Sequence, residues 1–414
     1  MNPYKPYVTW SVILAITVAF IIPPMSVYAS SLSNLLTQEI SSSNTDGDKG
    51  ISSGNNAVTI WVSLLLSKFL GKISNTAEGI SEKVKLPAEI NASPNKELIG
   101  FYAEWWGTDT SSFNSLMNNI DTIKTIAPFW ATLDGEGIIH DRGGNDHASV
   151  VQAAHQNNVS VLLMVNNAKQ QQGSSPIHTV LTNPLLRAKA ITNIETYIKK
   201  YDLDGINIDF EMVDAGDRDS LSAFMKELSA RLKPQGYIIS IDVFPKQDES
   251  NDVSIAYDYE QLATYADKIM LMTYDHHGSW SGPGPIADIR WVENNLNYAL
   301  KFIPKNKLYI GIAGYGYDWS SKGVESLEYN PIMKLAEDFN SPILWDAPSQ
   351  SPHFSYTGSD GIAHQVWYEN RESIRYKLDL VNKYDIAGAA LWKLGEEDPG
   401  YWPVFKKYFS KNSL

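Results

Sequence analysis

From Glu97 onward the chain alternates short apolar runs with segments whose apolar residues recur every three or four positions, the pattern of strands covered by helices. The runs predict strands at 98–105, 125–133, 159–165, 205–210, 237–243, 268–273, 308–313 and 387–392. Helical stripes fall between most of them, among them 184–201, 219–232, 291–302 and 373–384. Eight strands alternating with helices over about 300 residues match the size and order of an α/β fold of the (β/α)8 TIM barrel type. The seventh unit is stretched. Between Trp319 and Glu372 it carries Pro331, Pro342, Pro348 and Pro352, then a strand-like run F-S-Y-T-G-S-D-G-I-A-H-Q-V-W-Y.

The pattern before Glu97 is different. Residues 10–22 form an apolar run, preceded by Lys5 and followed by Pro23, Pro24 and the small-residue stretch Ser26-Val27-Tyr28-Ala29. This reads as a secretory signal cut after Ala29, with an uncleaved membrane anchor as the alternative. Residues 30–56 have the Ser, Asn, Gly and Asp content of a linker. Residues 57–73 read as an apolar helix with a narrow polar stripe of Thr59, Ser63 and Ser67, which docks, self-associates or lies on a membrane. The expected order is signal or anchor at 1–29, linker and stem at 30–96, and barrel at 97–410.

Composition narrows the function classes. A chain of 414 residues can bury a barrel-sized core. Its formal charge of −13 argues against nucleic acid, whose phosphates demand basic patches. Without cysteine there is no disulfide framework, thiolate metal site or cysteine nucleophile. The abundant Trp and Tyr suit a groove in which flat rings stack on sugars, and equally suit barrel packing.

The candidate chemistry sits in D-L-D-G-I-N-I-D-F-E, residues 202–211. Asn207, Asp209 and Glu211 alternate with Ile206, Ile208 and Phe210, so on a strand the three polar side chains share one face. Same-face residues lie about 6 to 7 Å apart, and two carboxyls at that spacing can bend together and share a proton. One member of such a pair holds its proton tightly, as a general acid near neutral pH must. A half-buried strand with a wet face is the plain alternative. Against it, Leu221, Phe224, Met225, Leu228 and Leu232 predict a covering helix, and a strand under a crossover helix is buried on both faces. Acids inside such a strand point to catalysis, or otherwise to a structural ion-pair network.

Two other features carry less. His276 and His277 are adjacent and diverge on a strand, so they make a poor metal site. The run from Gly282 to Ala287 fits G-x-G-x-x-A by letter, but its prolines remove N–H groups that a pyrophosphate needs and no strand leads directly into it.

D-G-I-N-I-D-F-E resembles the active-site signature of glycoside hydrolase family 18, the chitinase-like enzymes, whose usual form is D-G-x-D-x-D-x-E. Asn207 stands where most chitinases carry an acid. In that it resembles the spore-germination, cortex-lytic N-acetylglucosaminidase branch. M-L-M-T-Y-D, I-G-I-A-G-Y-G-Y-D-W and A-A-L-W-K are similar to the family's sixth, seventh and eighth strands. The stretch at about 320–371 resembles the small α+β insertion that many members carry after strand 7.

The resemblance implies a retaining hydrolase that cuts β-1,4 bonds at N-acetylglucosamine by substrate-assisted catalysis, without cofactor or metal. In that reading Glu211 is the acid, Asp209 aligns the acetamido N–H and Tyr274 holds the acetamido carbonyl. Asp275, Trp392 and Tyr315 would contact the sugar, and Asn207 would donate an N–H to Asp209 without adding charge, leaving the pH optimum to Asp209 and Glu211. Tyr102, Asn166 and Asp242 fall at barrel-mouth positions. Gln365, Trp367 and Glu369 could reach the cleft from the insertion. For each of these six, packing is the competing role. The implied partner is a glycan, peptidoglycan ahead of chitin, at a secreted or cell-envelope address, with membrane contact through 10–22 or 57–73. A chitinase and a non-catalytic chitinase-like glycan-binding protein are the alternatives.

Overall fold

The computed structural model describes residues 96–409, other than 145, 170–174 and 251–253. The expected signal, linker and apolar helix at 1–29, 30–56 and 57–73 lie outside the described residues. Among the described residues no helix is long and apolar enough to cross a membrane.

With strands numbered along the chain, the barrel is built from β1 (Glu97–Tyr102), β2 (Thr125–Pro128) with β3 (Ala131–Leu133), β5 (Ser160–Asn167), β6 (Gly205–Asp209), β7 (Ile238–Val243), β8 (Lys268–Leu271), β9 (Leu308–Ala313) and β15 (Gly388–Trp392). Each is parallel to its neighbours. β2 pairs with both β1 and β5, while β15 pairs with β1 and β9, so the eight positions close into the expected (β/α)8 ring. The second position is one predicted strand broken in two: Pro128 has no N–H to give the ladder, and β3 resumes beyond it, folding back on the short β4 (Ile139–Asp141).

Alternation along the strands makes two cores. Ile126, Val161, Leu163, Ile206, Ile208, Ile241 and Ile310 point outward to the helices, while Ile99, Phe101, Ala127, Met164, Met270, Tyr309 and Ala390 fill the barrel. The helix Arg218–Leu232 buries the predicted stripe of Leu221, Phe224, Met225, Leu228 and Leu232. Each such side chain is worth about 1.5 to 3 kcal/mol of transfer free energy. At the N-terminal end of the strands, Glu97 is bonded to Lys268 and to the Thr125 hydroxyl, and accepts the Tyr309 hydroxyl at 2.8 Å. Burial pushes the Glu97 carboxyl up, but Lys268 and the two hydroxyls outweigh it and hold the group below its ordinary value.

The insertion is an antiparallel sheet of β10 (Tyr315–Ser320), β11 (Gly323–Glu328), β12 (Leu344–Asp346), β13 (Ser351–Thr357) and β14 (Ala363–Tyr368), in the order β11-β10-β14-β13-β12. The helix Tyr329–Asp338 lies on it, with Ile332 and Ala336 against Phe354, Val366 and Tyr368. It begins at Tyr315, earlier than the expected 320, because only Gly314 separates the end of β9 from the start of β10.

Candidate active site

β6 brings the acids to the C-terminal mouth of the barrel, where loops can reach them. Gly205 opens it because β7 passes so close that an added Cβ would lie 2.0 Å from the Ile238 carbonyl oxygen. Ile206, Ile208 and Phe210 pack outward under the helix, Phe210 against Phe224 with ring centroids 5.4 Å apart. Asn207 and Asp209 are buried on the opposite face, and Glu211 stands just beyond the strand, open to solvent. Its backbone is clamped by the Asn167 side chain, which accepts the Glu211 N–H at 2.8 Å and donates to the Glu211 carbonyl at 3.0 Å. The Tyr257 hydroxyl donates to the Phe210 carbonyl at 2.6 Å. Glu211 therefore projects from a fixed backbone.

Asn207 does not donate to Asp209 as the sequence suggested. Its Nδ2 donates to Asp242 Oδ2 at 2.7 Å, and Ser240 Oγ lies 2.7 Å from its Oδ1. Asp242 and Ser240 share a face of β7, two residues apart and one strand away from Asn207. Asp209 in turn interacts directly with the Asp242 carboxyl. Burial raises both, and the charge of Glu211 raises both further, so this buried pair cannot be doubly ionised near neutrality. Although Glu211 as a whole is exposed, its carboxyl is partly desolvated by the protein around the barrel mouth, and this raises it, followed by the charge of Asp275. Asp209, Glu211, Asp242 and Asp275 therefore form one electrostatically linked set rather than an isolated pair of Asp209 and Glu211.

Tyr274 and Asp275 follow β8. The Tyr274 ring occupies the space that a side chain at position 311 would fill, since a Cβ on Gly311 would lie 2.6 Å from its Cε1. Burial, then Asp242, Asp209, Asp275 and Glu211, keep its phenol protonated far above the ordinary value. Asp275 has a left-handed backbone (φ 58°) and accepts the hydroxyls of Tyr315 at 2.6 Å and Tyr317 at 3.0 Å. Trp392 meets Phe101 and Phe129 with centroids 5.3 and 6.1 Å away. Trp392, Asp275, Tyr315 and Tyr317, with Trp105, Glu328 and Glu396, line a cavity of about 390 Å³. Asp275 both lines this cavity and faces Glu211.

Other candidates fall elsewhere. Tyr102 points outward, because Phe101 takes the inward position on β1; its ring is fully buried against Trp130 and its hydroxyl donates to Glu104 at 2.9 Å. Gln365 lines a separate groove of about 870 Å³ with Trp319, Ser281, Tyr356 and His364, rather than the cavity at the barrel mouth. Asn166 is tied to the Thr132 hydroxyl at 2.7 Å, and the neighbouring Asn167 is the residue that reaches Glu211. Trp367 stacks on His353 at 4.3 Å. Glu369 is sealed in an ion pair with Lys377 at 2.7 Å. His276 stacks on Trp291 at 4.7 Å. Among the described residues, His178, Asp214 and Asp217 have ligand spacing for a cation, and none of the carboxylates above belongs to that group.

A family model for glycosyl hydrolases family 18 matches residues 97–397, nearly the whole barrel with its insertion. The chain belongs to glycoside hydrolase family 18. Within that family it is 31% identical to the Bacillus subtilis uncharacterized glycosylase YvbX over 304 residues, 72% of this chain and 88% of that protein. Among solved structures it superposes on the Bacillus cereus spore cortex-lytic enzyme SleL with a TM-score of 0.70 at 27% identity, covering 76% of this chain and 74% of SleL. A chitinase from Chromobacterium violaceum follows at 0.69 and 27%, covering 75% and 98%. The family makes this chain a glycosidase. In chemical terms, a family-18 barrel with this mouth offers a solvent-facing acid on a clamped backbone, buried carboxylates behind it, phenols beside it and a tryptophan wall.

Proposed function

We propose that this family-18 glycosidase cleaves β-1,4 bonds at N-acetylglucosamine with retention, most readily in peptidoglycan, by substrate-assisted catalysis. The observation that carries the reading is the division of labour on one strand: Glu211 is raised and open to the cleft, whereas Asp209 is buried behind it against Asp242. A carboxylic acid kept protonated near neutral pH can give its proton to the glycosidic oxygen. Membership of family 18 supports the substrate's own 2-acetamido carbonyl as the nucleophile, which leaves Asp209, 6% exposed behind the acid, to orient it. As the C–O bond breaks and the oxazolinium ring closes, its positive charge develops beside Asp209, and Tyr274 holds the acetamido oxygen. Glu211, now a carboxylate, takes a proton from the water that reopens the ring.

Likeness to SleL supports a peptidoglycan substrate, and the likeness to the Chromobacterium violaceum chitinase supports chitin as the second reading. The apolar run at 10–22 supports a secreted or envelope address, where either polymer is met. The test is product analysis of the protein and of Glu211→Gln on purified peptidoglycan and on chitin oligosaccharides. New reducing N-acetylglucosamine ends from peptidoglycan, absent with Glu211→Gln, are expected. Ends released from chitin alone would make it a chitinase. A Glu211→Gln variant as active as the parent would overturn the assignment of the acid.

A further inference from the structure

The strand that carries Asp209 has no second acid at position 207, yet Asp209 does not lie alone. The carboxyl it meets comes from the next strand. Asp242 is 2% exposed, and its Oδ2 is committed to the Asn207 amide at 2.7 Å. Its Oδ1 is buried without a conventional donor among the described residues, which leaves that oxygen to carry a proton. Asn207 is itself held by Ser240, so the amide presents its N–H side to Asp242 and acts as a fixed strut between the strands.

We propose that Asp242 is the proton acceptor for Asp209, a positioning residue supplied by β7 where β6 itself carries no second buried acid. The inference rests on the reading of Asp209 and Glu211 given above. Two buried carboxyls in direct contact share one proton. While that proton sits on Asp209, the group cannot accept the acetamido N–H and carry negative charge at once. When substrate enters, the proton passes from Asp209 to Asp242 Oδ1: one O–H bond breaks, one forms, and the total charge of the pair is unchanged. Asp209 is then a carboxylate facing the sugar, and Asp242 is neutral in a setting that cannot solvate its charge. The Asn207 amide donates to Oδ2 in either state, so the strut survives the transfer. The titratable groups around Asp242 are Asp209 and Glu211 from the end of β6, Tyr274 after β8, and Tyr257; Asp275 acts one step further out, on Glu211.

The experiment uses the full chain, with new reducing ends on purified peptidoglycan glycan strands followed against pH. Asp242→Asn is expected to lower kcat by tenfold or more with little change in KM, and to move the profile to lower pH, because a neighbouring negative charge has gone. Asn207→Asp with Asp242→Asn, which carries the carboxyl back to β6, is expected to recover at least tenfold of that loss. Asn207→Asp alone is expected to move the profile to higher pH, and it keeps the test decisive where Asp242→Asn folds poorly. A purely structural Asp242 would leave the pH profile in place and the double variant no better than Asp242→Asn; either result overturns the proposal. A parent that releases no ends from peptidoglycan or chitin would overturn the functional reading as well. An active parent with unmoved variants would overturn this inference alone.

Discussion

Gly311→Ala tests whether the placement of Tyr274 matters to turnover. The added methyl would lie 2.6 Å from Tyr274 Cε1, 2.9 Å from its Cδ1 and 3.1 Å from the Leu271 carbonyl oxygen. Ordinary contact begins near 3.4 Å, so the ring must retreat by about 0.8 Å. The backbone of β8 can absorb little of this, since it is bonded on both sides within the barrel. The ring packs edge-on against Tyr315 at 6.3 Å, so its retreat displaces the phenol relative to Asp209 and Asp242. Misplacing a positioned group by about 1 Å can cost on the order of 100-fold in rate, whereas overpacking costs about 1 to 3 kcal/mol of stability. The expected result is a kcat lower by about 30- to 100-fold in a protein that remains folded at the assay temperature. Because the methyl acts through the ring, Tyr274→Phe and Gly311→Ala should be strongly non-additive in a double-mutant cycle. A kcat within twofold of the parent, or fully additive losses, would refute the reasoning.

Two further outcomes concern the scaffold. Lys377→Met leaves Glu369 charged and unpaired in a place where both side chains are at most 2% exposed, which should cost about 3 to 5 kcal/mol in urea unfolding. Lys377→Met combined with Glu369→Leu should recover most of that loss, and no recovery would show that the charge was not the cause. Glu195 is held down to about 2 by Lys199 first and then Arg231. A carboxyl lowered on folding contributes stability that is present above its ordinary value of 4.5 and is lost as pH falls through about 2. Urea midpoints measured down that range should therefore fall less steeply for Glu195→Gln than for the parent, and parallel curves would count against the ion pair.

Much of the architecture is legible in one dimension. Strand positions, the covering helix at Arg218–Leu232 and the shared face of Asn207, Asp209 and Glu211 all follow from periodicity, which is a property of consecutive residues. The positions of Tyr274, Tyr315 and Trp392 could likewise be placed, because each lies at or within three residues of the C-terminal end of a predicted barrel strand.

What the sequence by itself determined, then, is which residues share a strand and which face they share. Tertiary structure decided who meets across strands. Asp242 reaches Asn207 from 35 residues away and Asn167 reaches Glu211 from 44, through the registers of β6 with its neighbours β7 and β5. The space for Tyr274 is the missing side chain of Gly311 on another strand, and Tyr102 is lost to the cleft by a single step of alternation that puts Phe101 inside. Such contacts depend on the register and tilt with which eight strands close a ring, a condition on the whole sheet at once. No local pattern of residues carries that condition.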